Sequence, residues 1–236
     1  MTPETRQKWL DIELAEYERA QQVSPYKDEA RVAAITEDVV SRGYKLLQLY
    51  RSSPYDEIHV ANLLEVFDFP QGAHILDMAC GIGAMTSIVH QQRPDLQFTM
   101  QNISEYQLSL CPEGFEKIHS DFHSIPVPDA SFDGVMLCYA LGYSRMSELV
   151  KEIARIVRPN GVVAIFDIFT NYYSPAVTER LGYVAYRDER LIEEMKLAGF
   201  ELQYITDGYY LDPTLEEELG LGTLNNINPC ALRFVK

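Results

Sequence analysis

The chain has 236 residues, 47% of them hydrophobic, enough to bury one sizeable core, and no Ser-, Gly- or Pro-rich linker divides it. Twenty Lys and Arg against 35 Asp and Glu give a formal charge of −15, a field that repels a phosphate backbone and argues against nucleic acid as a partner. Four cysteines without a CxxC pair, a charged Glu-rich opening segment in place of a secretory apolar core, and the absence of a run of membrane-spanning length predict a cytoplasmic chain with no membrane span.

In chain order, the first 30 residues read as a charged helix, and Val32, Ile35 and Val39 set a second helical stripe. Residues 1–55 are read as an N-terminal helical lid or substrate cap, and residues 56–236 as the main domain. Within the latter, short β-rich runs follow one another: "AHILDM", "LQFTMQN", "EKIHS", "FDGVMLC", "GVVAIFDIF", "LQYIT" and "ALRFVK". Between the fourth and fifth, Leu149, Val150, Ile153, Ala154 and Val157 recur at helical spacing and "RPNG" stops the helix. After the fifth, Leu191, Met195 and Ala198 do the same, with Gly199 as C-cap. Strands alternating with helices predict an α/β fold with a doubly wound, mostly parallel seven-stranded sheet. The last two runs lack a convincing helix between them, so the last strand is expected antiparallel.

The stretch "HILDMACGIGAMT" ends a strand at Asp77 and turns through Gly81 and Gly83. Such a turn brings bare main chain to the carboxyl edge of the sheet, where open α/β folds bind ligands. The dinucleotide fingerprint would place a third glycine where Thr86 stands, and Asp77 sets a carboxylate beside the turn, so a cationic or neutral ligand fits better than a pyrophosphate.

"ILDMACGIG", "HSDFHSIPVPDASFDGVMLCYAL" and "EIARIVRPNG", in this order, resemble the motifs of class I S-adenosylmethionine-dependent methyltransferases from about residue 55 onward. The resemblance implies a Rossmann-like methyltransferase domain over 56–236, with S-adenosylmethionine as cofactor. It implies that Asp77, Ala79, Gly81 and Gly83 surround the methionine portion and that Asp121 and Phe122 meet the adenine. Asn160 replaces the first glycine of the family's turn, and Asn tolerates the left-handed backbone needed there.

Most members end the second strand with Asp or Glu, where this chain has Asn102. The run "NISEYQ" is similar to that of the branch containing cyclopropane synthases and the sterol and isoprenyl-diphosphate C-methyltransferases, which implies that Asn102, with Ile103 beside it, and Gln107 hold the ribose. On that reading, Asn102→Asp should restore or improve cofactor binding. The other reading of Asn102 is a strand-end turn residue.

Tyrosines 139, 143, 172, 173, 183, 186, 209 and 210 gather where an acceptor pocket would lie. Of these Tyr139, Tyr143 and Tyr172, together with His59, are the candidate catalytic residues, since aromatic faces stabilise developing positive charge and histidine titrates near neutrality. His123 reads as a helix-end or surface residue. No residue set has metal-ligand spacing. Arg42, Lys45 and Arg51, with Arg180 and Arg187, are the clusters that would face a diphosphate headgroup.

The expected function is methyl transfer to a small, largely apolar metabolite, with C-methylation of an isoprenoid as one form. O- or N-methylation, a non-methyl-transfer use of the same cofactor, a non-catalytic partner subunit and homo-oligomerisation stay open on the sequence. Because the cofactor motifs lie downstream, removing residues 1–50 is expected to leave cofactor affinity within about tenfold.

Overall fold

The computed structural model describes residues 2–41, 65–206 and 227–236. It begins with two helices, α1 (Pro3–Val23) and α2 (Glu29–Ser41), joined by a 3₁₀ turn at Pro25–Lys27. There follow β1 (His74–Met78), α3 (Ala84–Gln92), β2 (Gln97–Asn102), α4 (Glu105–Leu110), β3 (Glu116–His119), β4 (Phe132–Cys138) and α5 (Met146–Ile156). The chain closes with β5 (Val157–Thr170), α6 (Pro175–Leu181), α7 (Asp188–Leu197), β6 (Glu201–Thr206) and β7 (Ile227–Val235). No described helix is long and apolar enough to cross a membrane.

The strands lie in the order β3-β2-β1-β4-β5-β7-β6. β1 to β5 run parallel, and β7 runs antiparallel to both of its neighbours. This is the expected doubly wound sheet with its reversed last strand. The chain winds outward from β1 through β2 to β3, then crosses back to β4 on the other side of β1. Loops at the carboxyl ends of β1 and β4 therefore diverge and open a crevice, the usual ligand position in such sheets.

Side-chain alternation explains the near-continuous apolar runs. Val135, Leu137, Val163 and Ile165 face one layer with Leu149, Val150 and Ile153 of α5 and Leu191 and Met195 of α7. Met136, Ala164 and Phe166 face the other layer with Val66, Phe67, Phe69 and Val89. Both faces are covered, so neither needs polar residues. Asn160 has φ 65°, as its replacement of a turn glycine requires.

One expectation for the N-terminal helices changes. On α2, Val32 is buried but Ile35 is exposed, and the inward position one residue on is the polar Thr36. On α1, Glu13, Glu16 and Ala20 are buried, so two acids of this charged helix are turned inward. These acids are buried because partners await them. Arg190 of α7, 2% exposed, donates from Nε to Glu13 at 2.9 Å and from Nη2 to Glu194 at 2.9 Å. Tyr173 Oη donates to Glu13, Thr178 donates to Glu16, and Arg6 reaches back to Glu194 at 2.9 Å. Helix α1 is thus bolted to α6 and α7 by a buried ionic network.

Removing one member of such a network leaves unpaired charge in a dry site, at a cost of about 3–5 kcal/mol. Arg190→Ala should lose stability of that order in urea unfolding, and a loss below about 1 kcal/mol would show that the network is solvated or redundant.

Candidate functional site

The turn after β1 is built from backbone that few residues adopt. Ala79, Gly81 and Gly83 have φ of 56°, 58° and 77°. Gln101 of β2 holds it, its side-chain oxygen accepting Ala79 N–H at 3.0 Å and its carbonyl accepting Cys80 N–H at 2.9 Å. The two glycines do different work. A Cβ on Gly81 would meet nothing within 4 Å, so this residue leaves open space against bare main chain. A Cβ on Gly83 would come within 2.9 Å of Met100 Cε and 3.0 Å of Pro112 Cδ, so Gly83 is required by packing.

Asp77 is 1% exposed and lies beneath the turn, not on it. Its Oδ2 accepts the Thr86 hydroxyl at 2.5 Å, which gives the residue in the third-glycine position a structural role. Burial pushes the Asp77 carboxyl up to about 7.

At the end of β2, the Asn102 amide is engaged on every side. Its nitrogen donates to Gly81 O at 3.1 Å and to Gln107 Oε1 at 2.9 Å, while its oxygen accepts Ser104 N–H at 3.2 Å. Gln107 in turn donates to Thr36 of α2 at 3.0 Å. Asn102 is therefore the strand-end turn residue that its composition allowed, and it also faces a cavity. After β3, Asp121 accepts both the backbone N–H and the ring Nδ1–H of His123 at 2.8 Å. His123 Nε2 accepts Arg145 N–H at 3.2 Å, so both ring nitrogens are in use and the ring, tilted against Phe122 at 4.6 Å, is part of the wall. That corrects its reading as a surface residue.

The loop after β4 hangs on Asp167, an acid in the middle of the apolar run of β5. Its Oδ2 accepts Ala140 and Leu141 N–H at 3.0 Å each, and Oδ1 accepts Ile168 N–H at 2.7 Å and the Tyr183 hydroxyl. Burial raises this carboxyl to about 6. The loop so held places Tyr139, at φ 51°, and Tyr143 at the crevice.

These pieces meet at one cavity of about 170 Å³. Its floor and one side are Ala79, Asn102, Ile103, Asp121, Phe122, His123, Tyr139, Ala140 and Tyr143, and its other side is Tyr17, Gln21, Ser24, Tyr26 and Lys27. Tyr26 packs edge-on against Tyr143 at 4.8 Å, and Tyr143 against Tyr183 at 4.8 Å. Of the nine residues proposed from sequence for the cofactor, Ala79, Asn102, Ile103, Asp121 and Phe122 line the cavity. Gly81 and Gln107 touch it through Asn102, and Asp77 and Gly83 stand behind. Tyr139 and Tyr143 are there, whereas Tyr172 is 56% exposed and not part of the lining. Tyr173, Tyr183 and Tyr186 serve the interior, with hydroxyls given to Glu13, Asp167 and Ser144 O. His59, Tyr209, Tyr210, Arg42, Lys45 and Arg51 lie outside the described residues, as does the Arg180 side chain.

The sequence reading missed the wall from α1 and the 3₁₀ turn. That wall lies in the same cavity as Asn102 and Asp121, so α1 and the turn after it are part of the site's lining. The available signal was "YERAQQVSPYK", where tyrosines flank a helix stop at Ser24-Pro25.

Residues 76–165 match the family model described as a methyltransferase domain. Over these residues the chain is similar to methyltransferases of the class I, S-adenosylmethionine-dependent kind. A sterol 24-C-methyltransferase of Gibberella zeae is 27% identical over 158 residues, covering 58% of this chain and 41% of that protein. A demethylmenaquinone methyltransferase of Thermotoga maritima is 23% identical over 199 residues, covering 71% of this chain and 87% of that one. The chain spans about two fifths of the length of several curated relatives it matches. Among solved structures, geranyl diphosphate C-methyltransferase from Streptomyces coelicolor, in complex with Mg²⁺, geranyl diphosphate and S-adenosyl-L-homocysteine, superposes with TM-score 0.64 at 8% identity, over 76% of this chain and 79% of that one. The likeness establishes the methyltransferase fold.

The two raised carboxyls under the site carry a pH dependence. In the unfolded chain each titrates near the ordinary aspartate value of 3.8, and in the folded domain at about 7 and about 6. Between these values the folded state holds more protons, so stability falls as pH rises. The thermal midpoint should drop from pH 5 to pH 8, and Asp77→Asn, which keeps an acceptor for Thr86, should flatten the drop. A parallel profile in the variant would show that Asp77 is charged throughout.

Proposed function

We propose that this chain transfers a methyl group from S-adenosylmethionine to a small, largely apolar metabolite. One observation carries the reading: the ends of β1, β2 and β3 and the loop after β4 deliver Ala79, Asn102, Ile103, Asp121, Phe122 and Tyr139 to a single cavity beside a turn whose Gly81 leaves open space. A cradle that a Cβ would fill fits a cofactor pressed against main chain. In this proposal Ala79 and Gly81 take the methionine portion, Asn102 and Ile103 the ribose, and Asp121 and Phe122 the adenine. Asp77, Gly83 and Gln107 act from behind, holding the turn and the Asn102 amide in place.

The bound cofactor supplies a methyl group already activated on a sulfonium. The chain's own tasks are to align the acceptor, exclude water and, where the acceptor requires it, hold a proton. Tyr17, Tyr26, Tyr139 and Tyr143 give the cavity an aromatic lining. Aromatic faces stabilise positive charge by about 0.5–2 kcal/mol each, which suits an apolar acceptor that becomes cationic. Residues 1–55 act as the cap, because α1 and the following turn supply the facing wall. The sterol methylation named for one relative and the geranyl diphosphate bound in one structural neighbour agree with an isoprenoid-like acceptor.

Titration calorimetry with S-adenosylmethionine tests the cofactor assignment. Gly81→Val should abolish the heat while far-ultraviolet circular dichroism is kept, since a branched side chain enters the space left open and resists a φ of 58°. A folded Gly81→Val protein that still binds would refute the site.

The geometry also reverses an expectation for Asn102. A carboxylate there cannot donate to Gly81 O or to Gln107 Oε1, so Asn102→Asp should weaken cofactor binding by about 1–3 kcal/mol instead of improving it. Equal or tighter binding by Asn102→Asp would show that the charge it brings to the ribose outweighs the lost turn contacts.

A further inference from the structure

Two thiols sit beneath the glycine turn and have no part in the proposed methyl transfer. Cys80 lies in the turn itself, between Ala79 and Gly81, and Cys111 caps the end of α4. Their sulfurs are 3.8 Å apart. Both are also aimed at the same carbonyl, each Sγ lying 3.5 Å from Gly81 O, the oxygen to which Asn102 donates. Cys80 is partly exposed and Cys111 is buried, so a small reagent reaches the pair from the Cys80 side. The remaining cysteines, Cys138 and Cys230, lie on strands β4 and β5's partner β7.

We propose that Cys80 and Cys111 form a reversible disulfide that distorts the glycine turn and lowers affinity for the cofactor. The geometry carries it: sulfurs in van der Waals contact need only close to about 2.05 Å, and that movement draws residue 80 of the turn toward the end of α4. Bond formation removes both S–H groups from Gly81 O and shifts the backbone against which Asn102 is set. The chemical environment agrees. A hydrogen bond from Cys80 and the charge of Lys117, whose Nζ donates to Cys111 O at 2.9 Å, favour the thiolate at Cys111, and the same pairing with burial holds the proton on Cys80.

With a hydroperoxide as oxidant the step balances. The Cys111 sulfur attacks one peroxide oxygen, the O–O bond breaks, and Cys111 becomes a sulfenic acid while the other oxygen leaves with a proton as water or alcohol. The Cys80 sulfur then attacks the sulfenic sulfur, the S–O bond breaks, and the departing oxygen takes the Cys80 proton to leave as water. Two thiols are oxidised by two electrons and the peroxide is reduced by two. A dithiol reverses the change.

The effect on affinity rests on the cofactor assignment made above, whereas the disulfide does not, and the test separates them. The full chain is treated with hydrogen peroxide, alkylated and digested, and a parallel sample is titrated with S-adenosylmethionine before and after oxidation and again after dithiothreitol. The expected result is a linked Cys80–Cys111 peptide, lighter by two hydrogens than the reduced pair, with affinity lowered by about tenfold or more and regained with dithiothreitol. Cys111→Ser and Cys111→Ala should show no linked peptide and no loss of affinity on the same treatment. Absence of the linked peptide, or a linked peptide with unchanged affinity, overturns the proposal. A reduced wild-type protein that binds no S-adenosylmethionine while the linked peptide still forms would refute the cofactor assignment, and with it the effect on affinity, leaving the disulfide itself established.

Discussion

Where parallel strands end, their loops leave the ladder with backbone N–H groups that must find acceptors, and at this sheet edge the acceptors are polar side chains at the strand ends. Gln101 takes Ala79 N–H, Asn102 takes Ser104 N–H, Asp121 takes His123 N–H and Asp167 takes Ala140 and Leu141 N–H. The cavity exists because these groups fix four loops at four strand ends. Each is polar for a reason internal to the fold, and their convergence at the β1/β4 divergence is what shapes the cavity.

The same constraint explains why the acids have different characters. Asp121 stands at the cavity, with roughly half of its side chain exposed, and is free to meet a ligand. Asp77 and Asp167 are wholly covered, and their environment favours the protonated form even though hydrogen bonds from Thr86, Tyr183 and backbone N–H groups oppose that shift. Motif comparison treats Asp77 as a ligand-facing residue. The geometry gives it a hydroxyl as its direct partner, so it shapes the turn at one remove from whatever the turn binds.

Legibility in the sequence follows the physics of each element. The central strands β4 and β5 were readable because a sheet covered on both faces demands near-unbroken apolar runs, and α5 because its apolar stripe is strict. Asn160 was readable because its left-handed backbone is local chemistry. The inward face of α1 was not, because Glu13 and Glu16 look solvated until Arg190, Tyr173 and Thr178, more than 150 positions away, are brought beside them. The two glycines were indistinguishable in sequence, since only the positions of Met100 and Pro112 separate a packing glycine from one that leaves a ligand space. Tyr17 and Tyr26 carried no motif and were passed over, and Tyr172, which sat among tyrosines that do face inward, is exposed and outside the cavity lining.

The N-terminal helices do more than cover the crevice. Thr36 of α2 bonds Gln107, Gln107 bonds Asn102, and Asn102 bonds Gly81 O, so a continuous hydrogen-bond chain runs from the cap into the glycine turn. Glu29 strengthens it by accepting Ser104 Oγ–H and Tyr106 N–H at 2.8 Å each. Docking of α2 and the shape of the turn are thereby coupled: a shift of the helix breaks the bond that orients Gln107, and a shift of the turn pulls on the same amide from the other side. The groups that hold α2 down are thus the groups that hold the turn in shape.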